Sequence, residues 1–173
     1  MMKDLQGNSI SEASAEAVDY YNQAVSAFNI YTGDPFSLVN NAIEVSPHFA
    51  MAHIFKAYLL GLATEPVLNG YAKDTVRHLK TMHLSDREAS HLGALDLMLH
   101  GEWTAAALVL DIHNCNYPMD IVALQGRVTE GVKWMAMREA YWSGNDNFFK
   151  VHNWWHRALY HQELGQPCPA RYY

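Results

Sequence analysis

The sequence predicts an all-α protein, and three observations carry that prediction. Apolar residues recur at every third or fourth position through almost the whole chain, which is the period of a helix with one buried face. Breakers fall about a helix length apart, at Gly33, Pro35, Pro47, Gly61, Pro66, Gly101, Pro118 and Gly126. No valine-rich run alternates in the manner of a strand.

Each element follows from its local signals. Ser9 and Glu12 have the spacing of a capping box, and behind them Ala17, Tyr20, Tyr21, Ala24 and Phe28 define a first helix that ends near Tyr31. Gly33-Asp34-Pro35 supplies a turn, a cap and a first-turn proline. The second helix therefore runs through Leu38, Ala42 and Ile43 until Pro47 stops it. A third begins there, with Phe49, Ala52, His53, Phe55, Leu59 and Leu60 on its apolar side, and breaks between Gly61 and Pro66. The fourth spans roughly Val67 to Met82, with Tyr71, Val76 and Leu79 expected to face inward. Ser85-Asp86-Arg87-Glu88 is a second capping box, opening a helix that runs to His100. Gly101 then turns the chain into a helix from Trp103 to His113. Pro118 opens a new segment, and beyond Gly126 a last pair is predicted, Val128 to Trp142 and Asn147 to Leu164, the latter capped by Asn145 or Asp146.

Helix pairs of similar length suggest repeats. Gly93, Ala94, Leu97, Gly101, Trp103, Ala106, Leu110 and Pro118 fall at the spacings of a tetratricopeptide repeat. In that arrangement Ala94 and Ala106 let two helices approach closely, Leu97, Trp103 and Leu110 fill the gap between them, and Pro118 ends the second helix. The expected architecture is a short α-solenoid of tetratricopeptide-like antiparallel helix pairs.

Composition narrows the class of function. A chain of 173 residues, half of them hydrophobic, has room for one domain with a substantial core, taken here as residues 1–173. A net charge of −6 without any run of Lys or Arg argues against nucleic acid as a partner. The opening MMKDLQGNSISEAS has neither the apolar core of a signal peptide nor the pattern of a transit peptide, and no long apolar run follows. A soluble cytoplasmic protein, with no membrane partner, is expected. Cys115 and Cys168 stand in no metal-binding or redox pattern and read as free thiols. Phosphate-binding glycine loops and serine-nucleophile motifs are absent.

Several stretches resemble a known family. GRVTEGVKWMAMREAYWSGNDNFFKVHNWWHRALYHQELG, residues 126–165, is similar to a segment of the bacterial branch of the tetratricopeptide repeat protein 38 family, whose members carry a closely related DNFF, HNWWH and ELG pattern. SPHFAMAHIFKAYLL, HLSDREASHLGALDLMLHGEWTAAALVLD and YPMDIVALQ, all within residues 1–125, resemble that family's amino-terminal half in order and spacing. The resemblance implies a helical-repeat fold and a short form: the repeats that separate these two regions in the family are missing, so that the two words share Gln125, and the family's C-terminal part is missing too. It implies no particular activity.

The histidines are the remaining candidates for chemistry. His152 and His156, one turn apart on the predicted last helix, share a face. Three readings stay open: packing against the preceding helix with a ring N–H on a carbonyl or on Glu139, a ligand pocket with Trp154, Trp155, Trp142 and Tyr141, or half of a metal site. Glu163 lies about 10 Å further along the axis than His156, too far to complete a first shell alone. HNWWH lacks the internal Glu of a zinc protease, so no catalytic residue is assigned and no cofactor is implied. His48 with His53 and His78 with His83 diverge around their helices, while His91, His100 and His113 stand alone. All are expected to decorate helix surfaces or to bond local carbonyls. The function expected is a scaffold that binds another protein or peptide; a small-molecule or enzymatic pocket around HNWWH is the alternative. Apolar residues around the whole last helix further predict a homo-oligomer formed through residues 141–173.

Overall fold

A computed structural model describes residues 2–30, 32–63 and 65–123. The helix pair expected beyond Gly126 lies outside the described residues. Within them the chain is helical apart from a small N-terminal hairpin: β1 (Met2–Lys3), β2 (Ser9–Ile10), α1 (Ala15–Asn29), α2 (Pro35–Val45), α3 (Ala50–Leu62), α4 (Pro66–Leu79), α5 (Asp86–Leu99) and α6 (Trp103–Asn116). Each odd-numbered helix packs on the one that follows it, and α3 also touches α2 and α5. Successive helix hairpins thus stack into a short helical-repeat array.

The expected breakers set most boundaries. Asp34 caps α2 by accepting from the Ser37 amide at 3.0 Å, with Pro35 at the first helical position. Ser85 and Glu88 form the reciprocal capping box that starts α5. At the other end of α5, Gly101 adopts a φ of +84°, so that its amide reaches Met98 O at 3.0 Å and the Glu102 amide reaches Leu97 O at 3.0 Å. That pattern satisfies two terminal carbonyls and needs a residue at ease in the left-handed region.

The N-terminus departs from expectation. Ser9 belongs to β2, in an antiparallel ladder that pairs Met2 with Ile10 and Lys3 with Ser9. Glu12 has a φ of 54°, which no helical first turn tolerates, so α1 begins only after Ser14, whose hydroxyl accepts from the Ala17 amide at 3.2 Å. Asp4 organises the loop of the hairpin: its Oδ1 accepts from the amides of Gln6 at 3.0 Å and Asn8 at 2.8 Å.

The core runs along α1, α3 and α5. Helix α3 is apolar on nearly every side, as befits a helix enclosed by neighbours. Its Phe55 meets Tyr21 and Phe28 of α1 edge-on, at ring separations of 6.1 and 5.7 Å. Gly61 lets α3 and α5 approach, since a Cβ there would stand 2.7 Å from Met98 Cε. Two expected core residues are instead exposed. Tyr71 is 58 % exposed because the inward face of α4 is Ala72, Val76 and Leu79, about 100° away around the helix. Trp103, 52 % exposed, is the first residue of α6, and the buried part of that helix begins one turn later at Ala106. Ala94, Ala106 and Leu110 are buried as the repeat spacing requires.

Candidate functional site

The described residues bring together a group of polar side chains that sequence reasoning left scattered. On α5, Arg87, Glu88 and His91 share the face that continues into Ala94, Leu95 and Met98, and all six are buried. On α6, His113 comes from the face that also buries Ala106 and Leu110. Past α6, a turn at Tyr117 to Asp120, closed by the Asp120 amide on Tyr117 O at 3.0 Å, aims the Asp120 carboxylate back into the array. Relative exposure is 0 % for His91, 2 % for His113, 1 % for Asp120 and 4 % for Arg87.

One oxygen is the hub. Asp120 Oδ2 accepts from Arg87 Nε at 2.5 Å, lies 3.0 Å from His91 Nε2 and lies 3.2 Å from His113 Nε2. Its Oδ1 accepts from the Val122 amide at 3.2 Å. The guanidinium then carries the connection to the N-terminal hairpin: Arg87 Nη2 donates to Asp4 Oδ2 at 3.2 Å and Nη1 to Ser9 O at 3.4 Å. Glu88 adds a parallel tie. Its Oε2 completes the helix cap, while Oε1 accepts from Ser11 Oγ at 2.6 Å. From α3, the Tyr58 hydroxyl stands 3.3 Å from His91 Nδ1. The two imidazoles lie 4.4 Å apart, and Tyr117 flanks His113 at 4.8 Å. His113 Nδ1 is buried with no hydrogen-bond partner among the described residues.

This corrects the expectation that His91 and His113 decorate helix surfaces. They are isolated only along the sequence, because their partner is a carboxylate contributed from beyond α6. His100 and His53 do bond local carbonyls, Asp96 O at 2.7 Å and Pro47 O at 2.8 Å. The pocket candidates His152, His156, Trp154, Trp155, Trp142 and Tyr141 lie outside the described residues, as do Glu139, Glu163 and Cys168. Cys115 is a free, exposed thiol.

Protonation follows from burial and partners. Burial alone would raise the Asp120 carboxyl, but hydrogen bonds from His113, His91 and Arg87 outweigh it and hold the group well below the usual carboxylate range. Burial pushes His91 below the ordinary imidazole value, with the bond to Asp120 opposing. Burial likewise lowers His53, against the pull of Pro47 O. In the unfolded chain a histidine titrates near ~6.5 and an aspartate near ~3.9. Below about pH 6.5 the unfolded chain therefore takes up protons that folded His91 and His53 refuse, and stability falls as pH falls. Stability from Asp120 is fully present above about pH 3.9 and is lost as pH drops below it. In a chelating buffer, urea midpoints should be nearly flat from about pH 7 to 8, fall between about pH 6.5 and 5, and fall further below about pH 4. His91→Gln should flatten the first decline. A midpoint that rises on acidification to about pH 5 would contradict the assignment of neutral His91.

A small apolar cavity of about 20 Å³ lies nearby, lined by residues including Val25, Phe28, Phe55, Tyr58, Ile121 and Val122. It has room for about one water and not for an organic ligand. Compared with known protein families, curated proteins and solved structures, the chain finds no match. No helix among the described residues is long and apolar enough to cross a membrane. Residues and fold define an all-α helical-repeat protein with a buried ionic cluster.

Proposed function

We propose that the chain is a tetratricopeptide-like scaffold, related to the tetratricopeptide repeat protein 38 family, whose role is to bind another protein or peptide in the cytoplasm. One observation carries this reading. The outer face of α6 presents Leu108 and Ile112, 60 % and 59 % exposed, one turn apart, with Trp103 exposed at the start of the same helix. Contiguous exposed apolar side chains on a helix are the material of protein recognition. The buried cluster supports the same reading from the other side, because polar groups enclosed and bonded to one another serve to fix the hairpins more readily than to turn over a substrate. The proposal includes self-association through residues 141–173, and it assigns no catalytic residue.

The test places a photo-crosslinking amino acid at position 108 of the full chain in its native cell. A discrete adduct is expected, and the protein identified from it should bind the purified chain in solution. Leu108→Glu with Ile112→Glu should weaken that binding at least tenfold while leaving the helical circular dichroism spectrum intact. Absence of a discrete adduct, or binding indifferent to both substitutions, would refute the reading. For self-association, light scattering should report at least twice the 19.6 kDa chain mass.

A further inference from the structure

Three nitrogens crowd one oxygen of Asp120. A carboxylate oxygen has about two lone pairs, yet Arg87 Nε, a fixed donor, and His91 Nε2 and His113 Nε2, whose roles follow the tautomer, converge on Oδ2 at 2.5, 3.0 and 3.2 Å. Oδ1 is turned to the Val122 amide and relieves none of them. Charge points the same way. Asp4, Glu88 and Asp120 are buried carboxylates, and Arg87 is the one guanidinium bonded among them. Buried charge of that kind calls for a counter-ion.

We propose that His91 Nε2, His113 Nε2 and Asp120 Oδ2 bind one divalent transition-metal ion, zinc in the first place. Each of the three residues offers one ligand atom within 4.8 Å of those of the other two. A tetrahedral ion about 2.0–2.1 Å from each would hold them roughly 3.3–3.4 Å apart. The separations from Oδ2 to the two imidazole nitrogens, 3.0 and 3.2 Å, need to open by only a few tenths of an ångström. The ion resolves the conflict at Oδ2, taking one lone pair and leaving the other to Arg87. Each ring then carries its proton on Nδ1: His91 donates it to the Tyr58 hydroxyl, which is placed to donate onward to His91 O at 3.5 Å, while His113 Nδ1 has no acceptor among the described residues. An outer partner of this kind is what orients a metal-bound imidazole.

Arg87 is the opposing influence, since its positive charge sits beside a ligand oxygen. Asp4 offsets it by holding Nη2 at 3.2 Å, which leaves the charge of Asp120 to the ion. Two imidazoles and one carboxylate select a first-row transition ion over magnesium or calcium, which prefer all-oxygen shells. The ligands come from α5, α6 and the turn beyond α6, all of them buried. An ion held by these three residues would join the last described hairpin to the turn that follows it.

The experiment uses the full chain, freed of metal by a chelator and titrated with Zn²⁺ and with Co²⁺. One equivalent per chain is expected, with a rise in Tm of about 5–10 °C at a hundredfold excess over Kd. His113→Gln should weaken binding by at least about a hundredfold. Because His152 and His156 offer a competing pair, the variant His152→Ala with His156→Ala is run beside it and should bind as the parent does. Failure of the parent chain to bind, or binding that survives His113→Gln and vanishes in the double variant, overturns the proposal. Should His113→Gln fail to fold, zinc-edge absorption of the double variant decides. Two imidazole scatterers support the site, and none or one overturns it.

Discussion

Asp120→Ala is expected to destabilise the chain by about 3–5 kcal/mol, the cost of stripping a buried ion pair of one partner. The carboxylate is 1 % exposed and bonded to Arg87, so its removal leaves the guanidinium with Asp4 as its one remaining carboxylate among the described residues and takes from both imidazole Nε2 atoms the group they face. Against a total stability of about 5–15 kcal/mol, such a loss should be plain as a large fall in the urea midpoint. The origin of the cost can be separated from simple packing. If it comes from the orphaned charge, Arg87→Met should be much less harmful in the Asp120→Ala background than in the parent, giving a coupling of about 1–3 kcal/mol in a double-mutant cycle. Additive effects would mean that the pair contributes only as volume.

Phe55→Ala should cost about 3–5 kcal/mol by a different route. The ring is 2 % exposed and joins α3 to α1 through edge contacts with Tyr21 and Phe28, so its loss opens a cavity that three stacked helices cannot easily close. Trp103→Ala provides the contrast. Although Trp103 is the larger residue, half of it already faces water, and the expected loss is within about 0.5 kcal/mol for a surface substitution. Comparable effects at the two positions, measured by urea denaturation, would mean that Trp103 fills the gap between α5 and α6 after all.

The outcome at those two residues shows what can be read from this sequence. Helix starts and stops were legible because they are local: Asp34-Pro35, the Ser85 to Glu88 box and Gly101 each set a boundary through atoms a few residues apart. The hairpin before α1 was not, since Ser9 and Glu12 have the spacing of a cap while the conformation of Glu12 depends on a ladder to Met2 and Lys3. Tyr71 has a plausible spacing but is off the buried arc of Ala72, Val76 and Leu79, whereas Trp103 shares the arc of Ala106 and Leu110 and is exposed at the first residue of its helix. The cluster was the least legible part. Arg87 and Asp4 are 83 positions apart, and His91 and Asp120 are 29 apart. One local trace existed: Arg87, Glu88 and His91 occupy the same register as Ala94, Leu95 and Met98. Polar residues at core positions of an otherwise regular helix imply a distant partner, even when the partner cannot be named.

A carboxylate from beyond α6 reaches through Arg87 to the N-terminal hairpin. Hydrogen exchange of the full chain, comparing the parent with Asp120→Asn, tests it most directly. Amides of residues 2–10 and of residues 117–123 should lose protection together in the variant, while those of α3 and α4 stay protected. Faster exchange confined to residues 117–123, with residues 2–10 unchanged, would show that the Asp120–Arg87–Asp4 connection does not hold the hairpin in place.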